Sequence, residues 1–386
     1  MLGIILIAST GWIYQWVSNP ATVAQQLASL AAPTATLPPL QRISNITEAT
    51  PGVTPTPTPK PCSAKQRDFE MGVTFPQWYG TGYGGGDNEW LLGLPEMRKQ
   101  TGSCWVEMPI LLYQRSPDSI IIAPGANTPF ISSFAYGIQL AHREGLHVFV
   151  SALLQVGGSQ PWVGSLKYSS YAQQQQWFQT YWQAFKPYIQ AAAQAGAEQF
   201  AVGTEEEWLQ ENSPDDLWNT LINNVHSIFP GILTYDMNWS TLSKPTRNWM
   251  RNPNLKMVGV SAYLPQISTP KRLNQQQISN LWQTQALPEL DALSNKLGEP
   301  IYISEIGYRA TTDAIYQPWA STSNAPADPA EQTQACAAAL ENILPDSHIL
   351  GVFFWGWSDT GAFDLVDSQA ATTIRSYYQS WQVPQA

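Results

Sequence analysis

From residue 69 onward, short apolar runs rich in β-branched and aromatic residues alternate with longer segments that have the amphipathic spacing of helices. The runs predict eight strands, at residues 69–75, 104–109, 147–153, 199–203, 232–235, 257–261, 301–304 and 349–357. Helices are predicted at residues 89–100, 130–144, 171–194, 214–228, 276–297, 329–343 and 370–381, which leaves only the fifth and sixth strands without a helix between them. Eight such units predict an α/β fold, a (β/α)8 TIM barrel, because a Rossmann sheet needs fewer strands.

The first 61 residues do not follow this alternation. Residues 1–19 are mostly apolar and predict a signal peptide or a membrane anchor. Residues 20–61 predict a disordered Thr/Pro-rich linker, in which five prolines between Pro51 and Pro61 are interleaved with threonines. We therefore expect the (β/α)8 barrel domain to span residues 62–386. The apolar segment predicts an extracellular or cell-surface protein, which is either secreted or tethered to a membrane.

Composition narrows the class of ligand. The chain has 29 acidic and 19 basic residues, a formal net charge of -10, so that a polyanion such as nucleic acid would be repelled. Charged residues make up only 12% of the chain, about half of the roughly 25% that is average, while it contains 17 Trp, 16 Tyr and 12 Phe. Few charges and many flat rings favour a neutral ligand such as a sugar. We expect a monomer that binds a polysaccharide or oligosaccharide and no nucleic acid.

Cofactor and metal motifs are weak in this sequence. Cys62, Cys104 and Cys336 form no C-x-x-C pair, which leaves one disulfide with a free thiol, or buried free thiols, as alternatives. The histidines form no H-E-x-x-H motif, so no metal and no cofactor are expected. Gly80, Gly82 and Gly85 match G-x-G-x-x-G, but four residues separate Gly80 from the preceding predicted strand. A loop at the barrel opening is therefore favoured over an NAD-type dinucleotide site.

Two glutamates carry the candidate chemistry. Glu205 follows the fourth predicted strand and Glu305 follows the seventh. All strands of a barrel open onto one face, so two residues 100 positions apart can meet there. Two carboxyl groups about 5–5.5 Å apart are the equipment of a retaining glycosidase, one acting as acid/base and the other as nucleophile. The alternative is that each glutamate stabilises the N-terminus of the following helix.

Aromatic residues near the same strand ends are candidates for binding a sugar. Trp355 and Trp357 are two apart on the eighth predicted strand and are expected to share a face, where either could contact sugar or pack in the core. Tyr263 follows the sixth strand and is expected to hydrogen-bond Glu305. The remaining candidates near strand ends are Trp239, Trp78 and the carboxylate Glu107.

Several motifs resemble those of clan A retaining glycoside hydrolases, most closely the family 113 β-mannanase-like barrels. They are Gly-Thr-Glu at 203–205, Met-Val-Gly-Val-Ser-Ala-Tyr-Leu-Pro at 257–265, and Ile-Ser-Glu-Ile-Gly-Tyr-Arg at 303–309. The resemblance spans roughly residues 66–381 and implies Glu205 as acid/base and Glu305 as nucleophile, with Thr204, Tyr263 and Tyr308 as neighbouring site residues. Many clan members have Asn where this sequence has Thr204, and an Arg that often supports the nucleophile from the second strand is not seen.

Together these observations predict a secreted or surface-bound endo-acting glycosidase that cleaves a neutral β-linked polysaccharide, β-mannan before a related glucan. A non-catalytic cell-surface carbohydrate-binding barrel is one alternative, since it would keep the aromatic cleft. A dinucleotide-binding enzyme that uses the Gly80 loop is the second.

Overall fold

The computed structural model describes residues 64–65, 68–84, 89–157, 162–358, 361 and 363–382. Within them the eight predicted strands form a parallel barrel. Its strands are β1 (Glu70–Thr74), β2 (Trp105–Gln114), β4 (His147–Val156), β5 (Gln199–Thr204), β6 (Ile232–Asn238), β7 (Met257–Ser261), β8 (Ile301–Ile306) and β9 (Ile349–Trp355). The short β3 (Ile122–Ala123) pairs antiparallel with the end of β2. Pairing of β1 with both β2 and β9 closes the barrel, which confirms the predicted TIM barrel.

Helices cover the outside of the barrel. They are α1 (Glu89–Thr101), α2 (Ile131–Arg143), α3 (Tyr171–Ala195), α4 (Glu207–Asn212), α5 (Asp215–His226), α6 (Gln275–Leu281), α7 (Leu287–Leu297), α8 (Pro329–Ile343) and α9 (Gln369–Trp381). A π-helical turn, Trp282–Ala286, joins α6 to α7, where the sequence predicted one continuous helix. Between β6 and β7 the chain forms two 3-10 turns, Trp239–Thr241 and Asn248–Arg251, which agrees with the missing helix there.

The barrel interior holds an aromatic layer. Phe149, Tyr302 and Phe353 pack together around Ala201, with ring centroids 5.0–6.2 Å apart. Gly72 has no room for a side chain, because a Cβ there would lie 2.1 Å from the Phe353 ring. Large rings therefore fill the centre of the barrel and separate its floor from its opening.

The two ends of the described chain meet at the N-terminal end of the barrel strands. Ala64 pairs with Gln382, and the N–H of Lys65 donates to the carbonyl of Trp381 at 2.8 Å. The predicted regions 1–19 and 20–61 lie outside the described residues, and the boundary at residue 62 stays a prediction. Among the helices of the described ranges, none is both long and apolar enough to span a bilayer.

Candidate active site

Glu205 lies directly after β5, at the C-terminal end of the barrel. Its side chain is partly exposed and its φ is 63°, a left-handed conformation that residues with a side chain rarely adopt. Its N–H donates to the carbonyl of Asp236 at 2.8 Å, and the register of β5 against β6 shifts between Ala201 and Thr204. Backbone strain and a bulge therefore coincide at one of the two predicted carboxylates, as they often do at functional sites.

Glu305 lies within β8 rather than after it. Tyr302 packs inside the barrel, whereas Ile303 and Ile306 belong to the large core between the barrel and its helices. Strict alternation along β8 would therefore turn Glu305 outward with Ile303. The register of β8 against β9 shifts between Ile303 and Ile306, and this bulge turns Glu305 toward Tyr263, whose hydroxyl donates to Glu305 Oε1.

The two carboxyl groups influence each other. Burial raises the pKa of Glu305 well above its usual range, the negative charge of Glu205 raises it further, and the Tyr263 hydroxyl lowers it. Burial also raises the pKa of Glu205, against the lowering effect of N–H donors from Trp162 and Asn238. Because each negative charge disfavours the other, the pair holds a single proton over the range between its two apparent pKa values. One acid and one carboxylate is the protonation state that acid/base chemistry requires.

Two residues that sequence reasoning did not place in the site hold Glu205. Asn238, the last residue of β6, donates from Nδ2 to Glu205 Oε1 at 2.8 Å. Trp162, in the loop after β4, donates from Nε1 to Glu205 Oε2 at 3.3 Å. Asn238 could have been found as the polar end of an apolar strand, but the position of Trp162 depends on how its loop folds over the opening.

Aromatic rings line the opening beside the glutamates. Trp355 packs with Tyr263 and Phe363, and Trp78 stacks on it with ring centroids 6.3 Å apart. Trp239 reaches the same cluster and stacks on Trp319 at 5.1 Å, a partner that the sequence did not suggest. The predicted aromatic residues Tyr263, Trp355, Trp239 and Trp78 are thus brought together at the opening. Flat rings beside a carboxyl pair suit a sugar face.

The structure corrects the placement of two predicted site residues. Trp357 does not share a face with Trp355, because β9 ends at Trp355 and the two-residue period of the strand ends with it. Trp357 is 2% exposed and packs in the main core beside Gly93 of α1. Tyr308 is 1% exposed, and its hydroxyl donates to the carbonyl of Leu264 at 2.7 Å. Both side chains therefore support the loops that form the opening and cannot contact a ligand there.

Two further predicted residues lie below the opening. Glu107 is 4% exposed and accepts a hydrogen bond from the Thr74 hydroxyl at 2.5 Å. Burial raises the pKa of Glu107 to about 7, and its charge acts on Glu305. It faces the inside of the barrel, and its prediction as a substrate contact is replaced by an electrostatic effect on Glu305. Thr204 is also buried, and within the described ranges its hydroxyl has no hydrogen-bond partner.

The glycine-rich loop does not have the form of a dinucleotide site. β1 ends at Thr74, a Cβ on Gly80 would meet the Phe130 ring at 2.6 Å, and one on Gly82 would meet Gln77 at 2.6 Å. These glycines pack against side chains instead of leaving their backbone open to a phosphate. Gly85 lies outside the described residues.

The cysteines are distributed between a disulfide and a free thiol. Cys104 is disulfide-bonded, and Cys336 is a buried free thiol. Cys62 lies outside the described residues.

The model of glycoside hydrolase family 113 matches residues 91–379. A GH113 β-1,4-mannanase structure superposes with a TM-score of 0.70 at 20% identity, covering 81% of this chain and 100% of that one. The GH113 β-mannanase of Alicyclobacillus acidocaldarius in complex with ManMIm gives 0.67 at 20% identity, over 82% and 99%.

A more distant structural similarity involves a larger protein. The β-glucuronidase of Ruminococcus gnavus in complex with D-glucuronic acid gives a TM-score of 0.54 at 10% identity, over 81% of this chain and 49% of that one. No curated protein matches the chain. At these identities the structural similarities show the barrel fold alone, and the family match carries the assignment to a family.

Proposed function

Because the chain belongs to glycoside hydrolase family 113, a family of retaining glycoside hydrolases, we propose that it cleaves β-1,4-linked mannan with Glu205 as acid/base and Glu305 as nucleophile. The observation that carries this proposal is geometric: Glu205 and Glu305 lie at the C-terminal ends of β5 and β8, and each accepts a hydrogen bond from a neighbouring strand or loop. The Tyr263 hydroxyl donates to Glu305, which stabilises the anionic form that a nucleophile needs. The acid/base role is assigned to Glu205 because it stands in the Gly-Thr-Glu motif at 203–205 that resembles the acid/base motif of the family.

The reaction proceeds in two displacements. Glu305 attacks the anomeric carbon while Glu205 protonates the departing glycosidic oxygen, and a glycosyl ester forms on Glu305. Glu205, now a carboxylate, then takes a proton from a water molecule that attacks the same carbon and releases the sugar. Two inversions return the anomeric centre to its original configuration.

The choice of mannan is supported by the relatives and by the aromatic opening. Two of the solved structures that share the fold are described as β-1,4-mannanase or β-mannanase. The rings of Trp78, Trp355, Trp239 and Trp319 belong to one aromatic cluster beside Tyr263, and aromatic faces of this kind suit a neutral sugar chain. A related β-glucan is the second candidate, because stacking alone does not discriminate between epimeric sugars.

The substrate assignment is tested with purified protein and two matched oligosaccharides, mannopentaose and cellopentaose. We expect cleavage of mannopentaose at the higher kcat/KM, with β-anomeric products at early times by NMR. Binding of both sugars without new reducing ends would contradict catalysis and favour a carbohydrate-binding barrel. Faster cleavage of cellopentaose would move the substrate to glucan.

The residue roles are tested by azide rescue. With dinitrophenyl β-mannobioside, Glu205→Ala plus azide should give the β-glycosyl azide, because azide attacks the ester on Glu305. Glu305→Ala plus azide should give the α-glycosyl azide, because azide then attacks the substrate directly. The opposite pairing of variants and anomers would exchange the two roles, and unchanged hydrolysis by either variant would remove that residue from the mechanism.

We also propose that the enzyme acts as a monomer outside the cytoplasm, either secreted or tethered at the cell surface. The apolar residues 1–19, the Thr/Pro-rich residues 20–61 and the disulfide at Cys104 support this location. The net charge of -10 supports the proposal that nucleic acid is not a partner. Fractionation of cells expressing the full chain, and light scattering of the purified protein, test location and mass. Activity confined to the cytosol would contradict the export proposal.

A further inference from the structure

The two oxygens of Glu205 have unequal environments. Oε1 accepts the Asn238 amide at 2.8 Å, while Oε2 accepts the Trp162 indole at 3.3 Å. Asn238 is buried, whereas Trp162 is partly exposed and belongs to a loop. The first bond is therefore short and protected, and the second is long and open to replacement.

The orientation of the Asn238 amide is fixed by its own backbone surroundings. Its Oδ1 accepts the N–H of Ser240 at 2.9 Å, because Asn238 caps the 3-10 turn Trp239–Thr241. A flipped amide would point its NH2 group at that N–H and lose the cap. The NH2 group must therefore face Glu205, and it can only donate.

A protonated carboxyl group has one oxygen that is a good acceptor and one that carries hydrogen. Since Asn238 holds Oε1 as an acceptor, the hydrogen is favoured on Oε2. We propose that Asn238 fixes the catalytic proton of Glu205 on Oε2. When substrate binds, its glycosidic oxygen replaces the Trp162 N–H as the partner of Oε2. This inference rests on the proposed role of Glu205 as acid/base.

The proton balance of both steps follows. In the first step the hydrogen on Oε2 moves to the glycosidic oxygen, the C1–O bond breaks with its electron pair on that oxygen, and a Glu305 oxygen bonds to C1. In the second step water bonds to C1, its proton returns to Oε2, and the Glu305–C1 bond breaks. Asn238 keeps Oε1 throughout and is a positioning residue.

The loop that carries Trp162 is built to hold the ring in place. Ser165 donates from both its N–H and its hydroxyl to the Trp162 carbonyl, at 3.0 and 2.6 Å. The ring lies over Gly164, where a Cβ would be 2.3 Å from it. These contacts keep the indole beside Oε2, where it borders the space that the glycosidic oxygen of the substrate enters.

The test compares kcat/KM for two substrates with different leaving groups. A dinitrophenolate departs without being protonated, whereas a sugar leaving group needs a proton from Glu205. We expect Asn238→Ala to lower kcat/KM for mannopentaose roughly tenfold to a hundredfold and kcat/KM for dinitrophenyl β-mannobioside by less than about threefold. Asn238→Ser, whose hydroxyl can still cap the 3-10 turn, should show the same contrast if the alanine variant folds poorly. An equal loss on both substrates, or no loss on mannopentaose, would overturn the role of Asn238.

Asn252→Ala provides the structural control. Asn252 is also buried and hydrogen-bonds Asn219 at 2.7 Å, but it lies after the 3-10 turn Asn248–Arg251, before β7 begins. Any loss in this variant should be the same on both substrates. A leaving-group contrast equal to that of Asn238→Ala would show that general loosening of the fold causes it.

Two variants of Trp162 separate the contribution of its aromatic ring from that of its N–H. We expect Trp162→Phe to keep kcat/KM for mannopentaose within about threefold, and Trp162→Ala to raise KM for mannopentaose but not for the dinitrophenyl substrate. A loss in Trp162→Phe as large as in Asn238→Ala would mean that the indole N–H stays on Oε2 during the reaction. Failure of the wild type to cleave either substrate would instead contradict the proposed function itself.

Discussion

The opening of the barrel and its interior both contain carboxyl groups, but the two regions differ in how far they expose these groups to solvent. At the opening, Glu205 and Glu305 are partly exposed and accept N–H or O–H donors from neighbouring strands and loops. In the interior, Glu70 and Asp236 are 6% and 1% exposed. Asp236 accepts the Tyr302 hydroxyl, and Glu70 accepts the Gln199 amide at 3.4 Å.

Burial raises the pKa in both regions. It raises the pKa of Glu70 to about 8 and that of Asp236 well above its usual range, as it does for the pair at the opening. A raised pKa alone therefore does not identify a catalytic carboxyl in this barrel. What distinguishes Glu205 and Glu305 is their partial exposure at the opening, where a ligand can reach them. The interior carboxyls are expected to remain neutral acids that hold the strands together.

Replacing one carboxyl group by an amide in each region should give the largest difference in kcat/KM between two variants. We expect Glu305→Gln to lower kcat/KM for mannopentaose by at least about 10⁴-fold, because an amide cannot act as the nucleophile. Glu70→Gln should stay within about threefold of the wild type, since the aromatic layer separates it from the opening. Steady-state kinetics on both variants measures this. A large loss in Glu70→Gln would mean that the interior takes part in the reaction.

The two tryptophans near the end of β9 should also differ in their roles. Trp357 should matter mainly for stability, and Trp355 mainly for activity. Trp357→Ala should lower the free energy of unfolding by about 3–5 kcal/mol, because it leaves a cavity in the main core. Trp355→Ala should lower kcat/KM for mannopentaose roughly tenfold, because a ring beside the carboxyl pair is lost, with a smaller effect on unfolding. Urea unfolding and kinetics on both variants check this. The reverse pattern would place Trp357 at the sugar.

The pH dependence of stability should show the smallest effect, and it tests whether Glu70 in the interior holds a proton. The pKa of Glu70 is about 8 in the folded protein and close to 4.5 in the unfolded chain. Between these values the folded state keeps a proton that the unfolded state loses, so stability falls as pH rises from about 4.5 to 8. We expect the thermal midpoint to be lower at pH 8 than at pH 5.

The glutamine variant of the same residue tests the cause of that fall. Gln at position 70 has no proton to lose, so Glu70→Gln should reduce the decrease of the thermal midpoint between pH 5 and pH 8. Glu96→Gln on the exposed face of α1 should leave the decrease as in the wild type. Identical pH dependence in all three proteins would show that Glu70 does not hold its proton in the folded state.

The barrel and the two candidate carboxylates could be predicted from the sequence alone. Every barrel strand is a short apolar run, and a helical segment follows each of them except β6, so this local periodicity predicted all eight barrel strands. Glu205 and Glu305 could be selected because parallel strands of a barrel end on one face, whatever the details of their packing. The same reasoning brought Tyr263, Trp355, Trp239 and Trp78 to the opening.

The directions of several of these side chains, and the contacts that hold them, depend on tertiary packing that the sequence pattern does not show. The bulge in β8 reverses the strand alternation, so that Glu305 faces inward beside Tyr263 instead of outward with Ile303. The end of β9 sends Trp355 and Trp357 to different clusters. Asn238 and Trp162 meet Glu205 from separate segments of the chain. Periodicity describes a regular element, whereas bulges, strand ends and loop contacts arise from closing the barrel and packing its parts together.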